Sequence, residues 1–315
     1  MEKVLIVSPV FNEAKVLPEF VAAFSKLRHE LAAQTDLRLL LVNDGSTDST
    51  MDYLKKVSAE YGDSIYYISF TANFGYQAAL IAGLSQAGDW PDALLTMDCD
   101  LEHPMETVPQ LITAWKRDRS VVVNTERKEA KELGLRKRLF SKLFYRVTGM
   151  LTGLDLGEGQ ADFKLWDARV LRALSMHLPN VGSLRVFAAW MPGRKSIVPY
   201  RQHVRSERVT RFTFKKNWDL AMISIVRFST FPLRAIGLMG ALGVLLSCFY
   251  VVYVAYQAST GVEYRGWAST ILTIVFMGCL QLISVGILAT YMRRLVFAKD
   301  LPLYIIDESK RPPSA

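Results

Sequence analysis

The feature that most constrains the fold is a regular alternation of short apolar runs and longer amphipathic stretches over residues 1–125. Five runs have the length and the Val, Ile, Leu and Tyr content of strands: residues 3–11, 37–44, 65–70, 93–98 and 120–125. Stretches long enough for helices separate them: residues 14–34, 49–62, 76–87 and 104–118. Strands joined by helices predict βαβ units. We therefore predict an α/β fold with a mostly parallel sheet, whose ligand site lies beyond the carboxyl ends of the strands.

A second constraint comes from two apolar runs near the C-terminus. Residues 235–256 and 267–292 contain no Asp, Glu, Lys or Arg, and each is long enough for a helix across the roughly 30 Å core of a bilayer. Basic residues flank the pair, whereas the connector holds only Arg265, so the positive-inside rule places both flanks in the cytoplasm. The expectation is a multi-pass protein of the inner (plasma) membrane with a cytoplasmic N-terminal domain. The alternative is two buried helices of a soluble core.

These runs suggest a division of the chain into four parts. We expect a cytosolic domain, an interfacial amphipathic segment, a two-helix transmembrane hairpin and a cytosolic tail, at residues 1–210, 211–232, 233–292 and 293–315. The net formal charge is +8, and the basic residues concentrate in two segments, 115–146 and 194–234. Such segments suit phosphate groups and a bilayer surface. Nucleic-acid binding is not expected, because no recognised nucleic-acid motif accompanies the basic residues.

Polar clusters stand at the ends of three of the strand-like runs. They comprise residues 8–13, 43–48 and 98–102. In the third cluster, Asp98 and Asp100 stand two positions apart at a strand end, so their carboxylates face the same side, with Glu102 in reach. Oxygen ligands of this kind suit Mg²⁺ or Mn²⁺, although acidic turns are also often merely solvated. His103 follows this cluster and is expected to be a solvated loop residue.

Several motifs, in this order, carry a family resemblance: VSPVFNEA, VNDGSTD, NFGYQAALIAG, DCDLEHP and QADFKLWD. Together they resemble the nucleotide-sugar domain of glycosyltransferase family 2, which has the GT-A fold. The segment RSERVTRF and the paired C-terminal apolar runs narrow the resemblance to polyprenyl-phosphate glycosyltransferases, a group that includes bactoprenol glucosyltransferases and dolichyl-phosphate mannose synthases.

The resemblance implies a role for each matching residue. For the nucleotide sugar it implies Pro9, Phe11, Glu13, Asp44, Asn73 and Asp98. For the divalent cation it implies Asp98, Asp100 and Glu102. For catalysis it implies Asp162, Arg127 and Arg205, and for the acceptor phosphate Ser141, Thr210 and Arg211. The chain departs from the family pattern at Glu102 (usually Gln), Ala161 and Arg208 (usually Gly), Thr210 (usually Ser) and Arg211 (usually Lys).

The implied reaction is the inverting transfer of one sugar to a polyprenyl (undecaprenyl) phosphate at the cytosolic membrane face. Glucose from UDP-glucose is the expected donor sugar. The alternative is transfer of mannose from GDP-mannose, or of a sugar from another UDP-sugar, to a polyprenyl or dolichyl phosphate. A phosphate with a second pKa near 6 is largely dianionic at neutral pH, so this chemistry needs no strong general base. A non-catalytic membrane scaffold that keeps the nucleotide-sugar fold is the alternative from another class. Homo-oligomerisation is also expected, because a two-helix hairpin buries little surface by itself.

Overall fold

The structure, a computed structural model, describes residues 1–127, 149, 160–175, 178, 183–202, 231–260, 266–300 and 303–312. The chain forms two compact units. The first is built from residues 1–149, 154–211 and 302–315, and the second from residues 150–153 and 212–301.

An eight-stranded sheet organises the first unit. Its strands are β1 (Glu2–Val10), β2 (Thr35–Asn43), β3 (Ile65–Phe70), β4 (Ala93–Thr96), β5 (Val122–Arg127), β6 (Gln160–Asp167), β7 (Lys195–Tyr200) and β8 (Ile306–Lys310). They lie in the order β7-β5-β6-β4-β1-β2-β3-β8. The pairs β1–β2, β1–β4, β2–β3 and β5–β7 are parallel, whereas β6 runs antiparallel to β4 and β5, and β8 runs antiparallel to β3. The predicted α/β fold with a mostly parallel sheet is confirmed.

Helices cover both faces of this sheet. They are α1 (Leu17–Leu31), α2 (Thr50–Glu60), α3 (Tyr76–Ser85), α4 (Val108–Asp118), α5 (Ala168–Ala173) and α6 (Leu184–Trp190). Successive side chains of a strand point to opposite faces. Accordingly, Val4 and Ile6 of β1 join the core under α1, α2 and α4, while Leu5 and Val7 join the core under α3, α5 and α6. Burial on both faces explains why β1 is apolar without alternation.

Strand β8 lies in the segment for which the sequence predicts a tail. Its Glu308 accepts a hydrogen bond of 2.7 Å from the hydroxyl of Tyr67 on β3. Lys310 Nζ donates to the carbonyl oxygens of Ser58 and Gly62, at 2.7 and 2.9 Å. Strand β8 therefore forms one edge of the sheet and is held there by polar contacts. A search for apolar strand-like runs does not detect such a strand.

In the part of the second unit that the structure describes, the chain forms the helices α7 (Phe231–Ser259) and α8 (Trp267–Asp300). Within the described parts of the chain, no helix is long and apolar enough to cross a bilayer. The predicted transmembrane hairpin at 235–256 and 267–292 is therefore not supported, and the expected location as a multi-pass inner-membrane protein with a cytoplasmic domain is wrong. The expectation rested on absence of charge, which permits a membrane span but does not establish one.

Gly45 lies in the loop that follows β2, close to the backbone of the loop that follows β3. Its φ is +66°, and a Cβ there would lie 2.3 Å from the carbonyl carbon of Ala72. Gly62 has a similar φ of +59° but nothing within 4 Å of the corresponding position. We expect Gly62→Ala to lower the free energy of unfolding by about 1 kcal/mol, the cost of a left-handed alanine.

Gly45→Ala should cost at least about 2 kcal/mol more, because a backbone clash adds to the same torsional cost. Urea unfolding of the two variants and the wild type measures both values. Equal destabilisation by the two substitutions would show that the loops at residues 45 and 72 separate freely.

Candidate active site

The predicted site residues that the structure describes gather at one edge of the sheet. Strands β1, β2 and β4 run parallel, so their carboxyl ends meet there. Strand β6 is antiparallel to β4 and β5, so its first residues and the last residues of β5 lie at the same edge. Asp162 and Arg127 thereby join the polar clusters that follow the other strands.

A cavity of about 410 Å³ opens at this edge. Its lining residues come from the end of β1, the loops after β1 to β4 and the first residue of α3: Pro9, Val10, Phe11, Glu13, Asp44, Asn73, Gly75, Tyr76, Asp98, Cys99 and Asp100. All six residues assigned by resemblance to the nucleotide sugar are among them. Their proximity is a result of the structure, whereas their role in nucleotide-sugar binding stays a prediction.

Asn12 joins the first two polar clusters. Its backbone lies in the left-handed region, with φ of 55°. Its backbone N–H donates to Ser46 Oγ at 2.9 Å, and its Oδ1 accepts from the backbone N–H of Thr47 at 2.8 Å. This reciprocal pair fixes the loop that carries Phe11 and Glu13 against the loop that carries Asp44.

Asp44 is buried and holds the loop that follows β3. Its Oδ1 accepts from the backbone N–H of Phe74 at 2.7 Å, and its Oδ2 accepts from the backbone N–H of Gly75 at 3.0 Å. Burial raises the pKa of the Asp44 carboxyl, and the two N–H groups oppose that rise. The Asp44 carboxylate thus fixes the loop that follows β3, and Asp44 also lines the cavity.

Asp98 is half-buried between Tyr76 and His103. The Tyr76 hydroxyl donates to Asp98 Oδ1 at 2.7 Å. His103 is only 3% exposed, and its ring stacks on Phe163 with centroids 4.8 Å apart. The expected solvated loop histidine is therefore wrong. Burial is the main reason that the pKa of Asp98 is raised.

The imidazole of His103 supports the backbone of Asp98. His103 Nδ1 accepts from the backbone N–H of Asp98 at 3.0 Å, so the proton of the neutral ring is on Nε2. Nδ1 also lies 3.7 Å from Asp98 Oδ2.

The three predicted cation ligands differ in their surroundings. Asp100 Oδ1 accepts from the backbone N–H of Glu102 at 3.0 Å, and Glu102 Oε2 accepts from the side-chain amide of Gln202. In the described part of the chain, no group of three or more His, Cys, Asp or Glu side chains is arranged to hold a metal ion. Asp98, Asp100 and Glu102 therefore do not form a complete ligand set by themselves.

Asp162 is the third residue of β6 and lies beside the cavity. Its Oδ2 accepts from Arg185 and from the side-chain amide of Gln77, both at 3.3 Å. Its side chain is 12% exposed. Neither donor was predicted from the sequence. Gln77 stands within the motif NFGYQAALIAG, but no pattern marks Arg185, which reaches the site because α6 packs beside β6.

Arg127 ends β5, where its Nε donates to the Tyr200 hydroxyl at 3.5 Å. The other predicted residues for catalysis and the acceptor phosphate lie outside the described residues: Ser141, Arg205, Thr210 and Arg211. The predicted interfacial segment, 211–232, also lies outside them up to residue 230.

Lys164 of β6 is fully buried beneath the site, between β4 and β5. Its Nζ donates to Asn124 Oδ1 at 2.6 Å. Desolvation lowers the pKa of Lys164 to about 7, and the nearby Asp162 partly opposes this effect. Burial of an ammonium group at this depth makes stability sensitive to pH.

Comparison with known proteins places these residues in a family context. Residues 5–174 match the sequence model described as glycosyl transferase family 2. The SfII prophage-derived bactoprenol glucosyl transferase of Shigella flexneri is 30% identical over 314 residues, covering 98% of this chain and 99% of the relative. The prophage bactoprenol glucosyl transferase homolog of Escherichia coli (strain K12) is 31% identical over 320 residues, covering 98% and 100%. Among solved structures, S. aureus TarS 1–349 in complex with UDP-GlcNAc is 16% identical, with a TM-score of 0.47 and coverage of 72% of this chain and 67% of that one.

Lys164 provides a test of burial at the site. The folded protein should release the Lys164 proton near pH 7 and the unfolded chain near pH 10.4, so the unfolded state binds more protons between these values. The free energy of unfolding should therefore rise with pH between these two values, by up to about 1.4 kcal/mol per pH unit. Below about pH 7, Lys164 is protonated in both states and should add no pH dependence.

Lys164→Met removes this titration, so the stability difference between wild type and variant should change with pH above about 7. Urea unfolding at a series of pH values measures it. Parallel stability curves for the two proteins would contradict the assignment of a depressed pKa to Lys164.

Proposed function

The chain belongs to glycosyl transferase family 2, and we propose that it transfers a single sugar from a nucleotide-sugar donor to a polyprenyl phosphate. Its similarity over almost its whole length to bactoprenol glucosyl transferases supports this acceptor. The observation that carries the donor assignment is the convergence of Asp44, Asp98 and Asp100 with the exposed ring of Phe11 in one cavity. We propose UDP-glucose as the donor, consistent with the glucosyl transferase names of these relatives.

The charges of the cavity support a divalent cation as part of the donor complex. Four carboxylates line the cavity, and its described lining residues include no Lys or Arg. A nucleoside diphosphate is itself an anion, so a cation is needed to bring it to this surface. Mg²⁺ is commonly held by one or two carboxylates together with substrate phosphates, which suits a site with fewer than three clustered ligands. Asp98 and Asp100 would hold it.

When bound, such a cation would stabilise the charge that develops on the leaving diphosphate. The residues of the chain would perform the remaining tasks. The Phe11 and Tyr76 rings at the cavity wall offer apolar surface to the nucleoside. Arg127, at the end of β5, offers a guanidinium to a phosphate.

The proposed step exchanges one bond at the sugar. An oxygen of the acceptor phosphate forms a bond to the anomeric carbon while the bond from that carbon to the diphosphate oxygen breaks. The sugar is transferred with inversion and the nucleoside diphosphate departs. Because the phosphate dianion is already nucleophilic, Asp162 is not required as a base, and its contacts with Arg185 and Gln77 suit an orienting role.

Asp100→Asn tests the cation site. The amide removes a negative ligand, so transfer to polyprenyl phosphate should fall by about 100-fold or more, beyond the effect of losing an outer-shell partner. UDP should also lose the Mn²⁺-dependent part of its affinity, measured by calorimetry. The matched control is Asp52→Asn on the exposed side of α2, which should change neither quantity. Unchanged transfer by Asp100→Asn would remove Asp100 from the reaction.

A donor panel tests the substrates. The protein is incubated with undecaprenyl phosphate, Mg²⁺ or Mn²⁺, and labelled UDP-glucose, UDP-N-acetylglucosamine or GDP-mannose. We expect label to pass from UDP-glucose into the chloroform-soluble fraction, with release of UDP. Transfer from GDP-mannose alone would show that the donor sugar is mannose and not glucose. Transfer from none of the donors would contradict the proposed acceptor reaction.

A further inference from the structure

Three consecutive residues at the start of α3 each donate a hydrogen bond to a different carboxylate of the site. The acceptors come from three separate strand ends, those of β2, β4 and β6. The pairs are Gly75 N–H with Asp44 Oδ2 at 3.0 Å, the Tyr76 hydroxyl with Asp98 Oδ1 at 2.7 Å, and Gln77 Nε2 with Asp162 Oδ2 at 3.3 Å. One short segment therefore connects all three acidic positions.

Gly75 sets the path of the chain into the helix. It precedes the first residue of α3 with φ of 96° and ψ of 155°, a conformation that favours glycine. In this conformation its own N–H meets Asp44, while the next two side chains reach carboxylates on other strands. The three contacts are thus geometrically linked.

Tyr76 combines a cavity surface with a hydrogen-bond donor. Its residue is 39% exposed and borders the cavity, whereas its hydroxyl is bonded to Asp98. The hydroxyl therefore occupies Asp98 Oδ1 as a hydrogen-bond donor.

Gln77 uses both ends of its amide. Its Oε1 accepts from the backbone N–H of Leu184, the first residue of α6, at 2.9 Å. This contact fixes which end of the amide is oxygen, so Nε2 must face Asp162. Arg185, the next residue of α6, donates to the same Asp162 oxygen. Gln77 therefore joins α3, β6 and the start of α6.

We propose that Tyr76 and Gln77 are positioning residues of the transfer reaction, Tyr76 acting through Asp98 on donor binding and Gln77 acting through Asp162 on turnover. The inference rests on the proposed function and assigns separate kinetic consequences to two adjacent side chains. If the segment had a purely structural role, kcat and KM would instead change together, in parallel with the loss of stability.

Tyr76→Phe keeps the ring and removes only the donor to Asp98. The affinity for UDP in the presence of Mn²⁺ should fall about tenfold, as expected for one lost hydrogen bond to a charged group, and the KM for the donor should rise with it. The kcat should change little. Tyr67→Phe is the matched control, because it removes another tyrosine–carboxylate bond of 2.7 Å, to Glu308, away from the cavity. It should leave UDP affinity and KM unchanged.

Gln77→Glu keeps an acceptor for the Leu184 N–H but replaces the donor to Asp162 with a carboxylate. The kcat should fall about tenfold or more, while UDP affinity stays at the wild-type value. Gln77→Met removes both bonds without adding charge and should lower kcat in the same direction. Far-UV circular dichroism and thermal unfolding check that all variants are folded.

The outcomes separate the two proposals. If Tyr76→Phe binds UDP as tightly as Tyr67→Phe does, or if both Gln77 variants keep the wild-type kcat, the corresponding positioning role is wrong. Equal changes in kcat and KM that follow the loss of stability would also overturn the inference. Wild-type protein that binds UDP with Mn²⁺ but transfers no sugar would contradict the proposed function and the Gln77 role with it, while UDP binding would still decide the role of Tyr76.

Discussion

Removal of carboxylates from water at one edge of the sheet is the constraint on which the site depends. A carboxylate that loses its hydration needs hydrogen-bond donors in return. Asp44 obtains two backbone N–H groups, Asp98 obtains a tyrosine hydroxyl, and Asp162 obtains an amide and a guanidinium. Most of these donors are neutral. The site therefore keeps its negative charge and gains fixed geometry.

This retained charge connects the fold with the chemistry of a family 2 glycosyltransferase. A surface lined by four carboxylates repels a diphosphate unless a cation accompanies it. In the proposed donor complex, the donor phosphates would supply the oxygens that Asp98 and Asp100 leave open, so the protein would not need a complete metal site. Charge balance would then be reached only with cation and donor both bound, and the two binding steps would be coupled.

Packed layers support the edge of the sheet that carries these carboxylates. Strand β1 is buried on both faces, and helices pack against each side. Lys164 and His103 lie directly beneath or beside the acidic residues and are almost fully buried. Lys164 Nζ donates to Asn124 Oδ1, and His103 Nδ1 accepts from the backbone N–H of Asp98. The carboxylates therefore rest on packed, hydrogen-bonded layers.

The sequence predicted the α/β class and the set of polar strand ends, because burial on both faces demands apolar strands and parallel topology brings their carboxyl ends together. It thereby placed Pro9, Phe11, Asp44 and Asp98 at one edge. It misjudged the C-terminal runs, where lack of charge suggested membrane spans, and His103, whose burial depends on Phe163 far along the chain. The donors that meet each carboxylate, the contact of Arg185 with Asp162 and the pairing of β8 with β3 became visible only in the folded chain. Such contacts join residues distant in sequence through directional hydrogen bonds, and neither composition nor periodicity encodes those directions.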